Sequence, residues 1–269
     1  MSESLSILLT NDDGIDSVGF RALYDAFEEF ADVTAVAPAE DQSAVGRQMS
    51  KDVDVSRHEL GYAIHGTPAD CTIVGLEALC PDVDLVVAGC NKGANLGAYV
   101  LGRSGTVSAA VEAAFFDVPA IAVSLYVPDG DDGVPWHEKA TDPEDYRNAT
   151  DAATYLAKHA LGAGVFEQAE YLNVNAPMPA GDDSPAPLEV TTPSTLYDMT
   201  ARRDDENGRV TLHDGVWERM RQNDLPDPEG TDRRAVVEGR VSVSPLTAPH
   251  TTEHHESLDA LAETYLDSV

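Results

Sequence analysis

The sequence predicts an α/β fold: a Rossmann-like, mostly parallel sheet flanked by helices, with a C-terminal β-rich and helical oligomerisation arm. Two observations carry this. Apolar runs of strand length, each stopped by turn residues, recur at 6–10, 33–37, 84–89, 120–125 and 171–175, as strands covered on both faces do. Helix-spaced apolar residues fall between them, beginning with Phe20, Leu23, Tyr24, Phe27 and Phe30, which gives the strand–helix alternation of a parallel sheet.

The first strand, residues 6–10, runs directly into Asn11-Asp12-Asp13-Gly14. Open α/β sheets place ligands at the carboxyl ends of such strands. Two adjacent carboxylates there read as a metal site in preference to a plain polar turn. The second strand is closed by Pro38 and followed by a polar loop, 39–50, that sets Ser43 on the same side of the sheet. Short alternating segments over 53–65 predict a hairpin. In Gly66-Thr67-Pro68-Ala69-Asp70-Cys71, Thr67 can cap a helix with Pro68 at its first position and Asp70 at its third. Capping accounts for that sextet as well as a functional role does.

The third strand, 84–89, leads into Cys90-Asn91-Lys92-Gly93-Ala94-Asn95-Leu96-Gly97, which brings carboxamides and backbone groups to the edge where Asp12 and Asp13 lie. Residues 104–116 read as a helix with Ser104, Gly105 and Thr106 at its start. Free N–H groups, two hydroxyls and the positive end of the helix dipole make a phosphate cradle. An ordinary Ser/Thr cap is the alternative, and the position directly after the asparagine-rich loop favours phosphate. After the fourth strand come an acidic loop, 126–141, a helix over 144–161, and the fifth strand closed by Pro177. The alternation then stops. Residues 180–235 are rich in Pro, Gly and charge, with weak strands near 188–192 and 209–213. A strand at 240–244 and a helix at 256–267, with Leu258, Leu261, Tyr265 and Leu266 on one face, complete the chain. This places a catalytic core at 1–180 and an extension at 181–269 that exchanges between subunits, giving a homodimer or homotetramer.

Charge narrows the function. Forty-eight acidic residues face 17 basic ones, for a formal net charge of −31, and only four of the bases are lysines. Such a surface repels nucleic-acid polymers and anionic membranes, and it resembles that of halophilic cytosolic proteins. No stretch has the length of a membrane span, and the N-terminus lacks a basic segment followed by an apolar one. The expectation is a cytoplasmic protein. Cys71, Cys80 and Cys90 are odd in number and lie in or beside apolar runs, as reduced structural thiols do.

The stretches 7–14, 37–44, 66–71, 89–97 and 104–107, in this order, together resemble the SurE survival-protein family, and 172–177 and 241–246 are similar to its later landmarks. The resemblance implies a metal-dependent 5′/3′-nucleotidase that hydrolyses nucleoside monophosphates. It also implies one Mg²⁺ or Mn²⁺ ion per subunit, held by Asp12, Asp13, Ser43 and Asn91. These four offer hard oxygen donors, which suit either ion. On this reading Asp12 also orients the attacking water, Asn95 contacts substrate, and Ser104, Gly105 and Thr106 hold phosphoryl oxygens. Two positions depart from the family pattern: Cys90 replaces a branched apolar residue and Arg103 an aromatic one. A phosphatase with an aspartate nucleophile would need Asp-x-Asp spacing, and here the carboxylates are adjacent. A non-catalytic nucleotide or metal sensor, and a broader phosphatase acting also on polyphosphate, use the same ligands.

The acidic surface yields the first prediction. Screening of self-repulsion raises the melting temperature as KCl goes from dilute to molar. A melting temperature unchanged by salt would contradict the halophile reading.

Overall fold

The computed structural model describes residues 4–128, 133–181, 184–205, 207–248 and 250. The core elements are β1 (Leu5–Thr10), α1 (Val18–Glu28), β2 (Ala31–Pro38), β3 (Asp54–His58), β4 (Gly61–His65), α2 (Pro68–Val74), β5 (Leu85–Lys92), α3 (Ala98–Leu101), α4 (Gly105–Phe115), β6 (Ala120–Tyr126), α5 (Arg147–His159) and β7 (Tyr171–Pro177). After them come β8 (Leu188–Val190), β9 (Met199–Asp204), β10 (Arg209–Asp214), α6 (Gly215–Gln222), α7 (Asp232–Val237) and β11 (Val241–Leu246).

One nine-stranded sheet runs in the order β3-β4-β2-β1-β5-β6-β7-β11-β8. Strands β4, β2, β1, β5, β6 and β7 are parallel, as continuous apolar runs require. The expected hairpin is present as β3 and β4 at one edge. Alternate side chains of β1 point to opposite faces. Ile7 and Leu9 enter one core with Phe20, Leu23 and Phe27 of α1 and with Ala149 and Ala153 of α5. Leu8 enters the other, with Cys71 of α2 and Val107, Ala110 and Ala113 of α4. Each fully buried leucine or isoleucine stabilises the fold by roughly 1.5–3 kcal/mol, so this central strand is anchored from both faces.

Thr67 starts α2 as the capping reading expected. Its Oγ1 accepts from the Asp70 amide at 3.2 Å, and Asp70 Oδ2 accepts from the Thr67 amide at 2.8 Å. Asp70 also takes the Ser50 amide on Oδ1 at 2.8 Å, which ties down the far end of the Ser43 loop.

The C-terminal third departs from the expected pattern in specific ways. Strand β11 pairs antiparallel with β7 and parallel with β8, so residues past 180 complete the core's own sheet. Strand β9 and helices α6 and α7 arise where only weak strands were expected. The β9–β10 hairpin forms a separate two-stranded sheet. Its polar pairs, such as Arg202 opposite Thr211, hide it from apolar periodicity. The closing helix expected at 256–267 lies outside the described residues. Among the described residues, no helix is long and apolar enough to cross a membrane.

Candidate active site

Strand β1 lies between β2 and β5, so the chain reverses its direction of sheet growth at β1. That reversal opens a crevice at the strands' carboxyl ends, and the loops leaving β1, β2 and β5 meet there. Asn11 folds the first loop by donating Nδ2 to Gly14 O at 2.7 Å and to Ser17 Oγ at 2.9 Å. The amide of Gln42 donates to Asp12 O at 2.7 Å, which draws the Ser43 loop alongside. A register shift between Ala88 and Asn91 of β5 redirects the strand, and the Lys92 amide donates to Asp13 Oδ2 at 2.7 Å. From the opposite side, Thr106 Oγ1 donates to Asp12 Oδ1 at 2.6 Å.

Gly105 makes this last approach possible. A Cβ there would stand 2.8 Å from Asp12 Cβ and 2.9 Å from Asp12 Oδ2, closer than packed atoms tolerate. The start of α4 therefore rests against the Asp12 side chain, whose carboxylate faces the positive end of the helix dipole.

Burial dominates the electrostatics. It pushes the Asp12 carboxyl above its ordinary value despite the hydrogen bonds from Thr106, and the Asp41 charge adds to the rise. Asp13 is raised to about 7, first by burial and then by its neighbour Asp12, with the Lys92 amide opposing. The hydrogen-bond partners of both carboxylates are a hydroxyl and a backbone amide. Neither partner is charged, and the Lys92 ammonium only partly offsets the rise at Asp13.

Of the other expected residues, neither Ser43 nor Asn91 bonds to the carboxylate pair. Asn91 donates Nδ2 to Gly93 O at 2.6 Å, which assigns its carboxamide oxygen as the free acceptor end. Ser43 is exposed and donates both its amide and its hydroxyl to Asp41 Oδ1. Ser104 is the N-cap of α4, its Oγ accepting from the Val107 amide at 3.1 Å. Asn95 is buried, and it directs Nδ2 at Ser124 Oγ at 2.9 Å. Arg103 lies over the ring of Tyr99, with Cζ 5.3 Å from the centroid. Cys90 is fully buried, and Cys71, Cys80 and Cys90 are all free thiols. Among the described residues, no three His, Cys, Asp or Glu side chains gather as a metal cluster.

Sequence reasoning missed the residues that hold the glycine-rich loop. Asn175 accepts from the Asn95 amide at 2.7 Å and donates to Asn95 O at 3.2 Å, pairing with its main chain as a neighbouring strand would. Asn173 also donates to Asn95 O, at 2.9 Å. Two fully buried asparagines in one strand of an otherwise apolar run were the available signal, because a buried carboxamide needs partners. The loop's far end is held by the C-terminal third. Asp232 accepts from the Gly97 amide at 2.6 Å and from the Ser194 amide at 2.9 Å, and Leu96 packs with Val216, Met220, Leu225 and Val236.

The family model described as Survival protein SurE matches residues 7–198. The chain belongs to the SurE family. A relative called 5′-nucleotidase SurE, from Haloquadratum walsbyi, is 70% identical over 269 residues, all of both chains. Another of that name, from Haloarcula marismortui, is 65% identical and covers 97% of this chain and 95% of its own. The crystal structure of the SurE protein from Aquifex aeolicus is 28% identical with a TM-score of 0.70, covering 97% of this chain and 99% of that one. These SurE matches span the carboxylate loop, the asparagine-rich loop and the start of α4 alike.

The Asn175 pairing yields a prediction. Asn175→Ala removes the acceptor of the buried Asn95 amide, while the Asn95 carbonyl keeps Asn173, and it destabilises the protein by about 1–3 kcal/mol. Urea unfolding in molar KCl measures this, with the exposed hairpin change Thr211→Ala within about 0.5 kcal/mol of wild type as the control. Equal stability of the two variants would show that the asparagine is not what holds the loop.

Proposed function

We propose that this SurE protein is a divalent-cation-dependent phosphomonoesterase that hydrolyses nucleoside 5′- or 3′-monophosphates to nucleoside and phosphate. One observation carries the reading: the adjacent carboxylates that end β1 are bonded on one side by Thr106 at the start of α4, to Asp12, and on the other by the Lys92 amide of the loop that carries Asn91, to Asp13. The printed name of its relatives, 5′-nucleotidase SurE, supports it.

The residues present fit a hard divalent cation. Their donors are oxygens throughout, and both carboxyls stay raised although the Lys92 charge partly opposes the rise at Asp13. Asp12, Asp13, Ser43 and Asn91 would hold Mg²⁺ or Mn²⁺, one ion per subunit. Such an ion neutralises charge on phosphoryl oxygens and lowers the pKa of the attacking water. Asp12 orients that water, and Thr106 keeps Asp12 in a single rotamer by its hydrogen bond. Ser104, Gly105 and the Thr106 amide at the start of α4 attract and align the phosphoryl oxygens. Asn95, whose carboxamide is directed at Ser124, shapes the loop and is a positioning residue.

In assays at high KCl with Mn²⁺, wild type releases phosphate from AMP. Asp12→Asn keeps the fold and loses most turnover. Asn91→Ala weakens the metal's effect, while Thr106→Ala lowers kcat by letting Asp12 swing. Metal affinity also depends on pH in a defined direction. The ion needs the Asp13 carboxylate, which holds a proton below about pH 7. Affinity therefore climbs as pH rises through that value, with proton release on binding, and Asp12, also raised, acts in the same direction. Turnover that survives exhaustive chelation, or a normal Asp12→Asn enzyme, would sink the site. Binding of AMP without phosphate release would make the protein a sensor, and release from polyphosphate would broaden its substrate range.

We also propose that the segment past 180 associates with a second subunit to give a homodimer or homotetramer. The exposed Val210 and Leu212 of the hairpin support this, since isolated apolar hairpins rarely stand free in water. Light scattering tests it, and a mass of 28.7 kDa would show that the arm serves its own chain alone.

A further inference from the structure

The chain contains two tryptophans, and both line the same cavity. Trp136 and Trp217 face it with Gly93, Ala94 and Tyr126, and it encloses about 320 Å³. Both indoles remain exposed, at 43% and 38%, so neither belongs to the hydrophobic core.

The cavity opens beside the carboxylate site. A Cβ placed on Gly93 would stand 3.7 Å from Asn91 Nδ2 and 3.8 Å from Trp136 Cζ2, so only that glycine separates the metal-site carboxamide from the indole. Lys92 spans the two places. Its amide donates to Asp13 Oδ2 at 2.7 Å, and its ammonium lies 5.0 Å from the Trp136 ring centroid while donating to His137 O at 3.1 Å. Trp217 is fixed from the other side, because its neighbours Val216 and Met220 on α6 pack against Leu96 of the same loop. Both walls are thus referenced to the loop that carries Asn91.

We propose that this cavity is the nucleobase subsite. It receives the planar base of a nucleoside monophosphate whose phosphate lies at Asp12, Asp13 and the start of α4. The inference rests on the phosphomonoesterase reading and deepens it by locating what distinguishes a nucleotide from other phosphate esters. Aromatic side chains with one accessible face bind any base by stacking, and the cavity's volume is in the range of small-ligand sites. A sugar phosphate without a base would leave both indoles in water. Stacking tolerates every base, so the subsite selects nucleotides as a class and discriminates weakly among them.

Because Trp136 and Trp217 are the whole tryptophan content, intrinsic emission reports on this cavity alone. The test titrates the full chain, in molar KCl with Mg²⁺, with AMP and with ribose 5-phosphate. AMP changes the emission saturably, after correction for its own absorption, and ribose 5-phosphate does not. Steady-state kinetics with both esters then compare wild type with Trp136→Ala, Trp217→Ala and Trp136→Phe. Each alanine variant lowers the kcat/KM ratio of AMP to ribose 5-phosphate by about tenfold, mainly through KM, as the loss of one base–aromatic stack does. Phenylalanine at 136 restores most of that ratio. Emission indifferent to AMP, or equal losses on both esters without rescue by phenylalanine, overturns the subsite. If wild type hydrolyses neither ester, the phosphomonoesterase reading fails instead, and the emission titration alone decides whether the cavity binds a base.

Discussion

The hydrogen bond from Thr106 to Asp12, 2.6 Å long and wholly buried, sets the geometry on which the rest of the site depends. A carboxylate at the buried end of a central strand is expensive: removing such a charge from water costs several kcal/mol even after relaxation. The fold offsets part of this with the Thr106 hydroxyl and the positive start of α4, and it admits both only because position 105 has no side chain. Burial still prevails, as the upward displacement of Asp12 and Asp13 shows. A pair of carboxylates held together against their own repulsion, hydrogen-bonded by a hydroxyl and an amide, supports the proposed cation site. The start of α4 is fixed to the proposed metal ligand by one bond, and displacing either displaces both.

A second constraint keeps that arrangement from relaxing. Past the shift in β5, Asn91 and Lys92 still pair with β6, but the Gly93–Gly97 loop leaves the ladder, and its polar groups cannot be left dry and unpaired. Asn173 and Asn175 supply the missing hydrogen bonds from β7, and Asp232 supplies one from the C-terminal third. Residues 80 and 135 positions away thus hold a loop that local interactions alone would leave mobile. This is why β11, α7 and the segment around Ser194 belong to the site's architecture even though none of them carries a proposed ligand.

What was legible in the sequence follows from which interactions are local. The parallel strands and their helices were readable because apolar periodicity is imposed residue by residue on elements covered on both faces. Asp12, Asp13, Asn91 and the Ser104–Gly105–Thr106 turn were readable because each directly follows a strand or begins a helix, where α/β sheets put their chemistry. The bond joining Thr106 to Asp12 spans 94 positions, and no pattern within either segment encodes it. The partners of Asn95 were hidden for the same reason: Ser124, Asn173 and Asn175 lie on two other strands. In the C-terminal third the strands expected near 188–192, 209–213 and 240–244 are present as β8, β10 and β11, whereas β9, exposed and largely polar, carries no apolar alternation to mark it.

A net charge of −31 poses a last physical question: how such a protein would attract an anionic phosphate ester. Basic side chains are too few to dominate the far field, so attraction has to be local. The start of α4 provides oriented N–H groups whose partial charge does not depend on composition. A bound cation would reverse the sign of the potential at the carboxylate pair over the short distance that matters, and Lys92, one of only four lysines, stands at the same loop. At molar salt the surrounding acidic surface is screened within about 3 Å, whereas charges inside the crevice, separated by less than that length of solvent, are not. High salt thus removes the repulsion that would keep the substrate away while sparing the contacts that would hold it. An acidic surface and a phosphate site are compatible in this chain because they act over different distances.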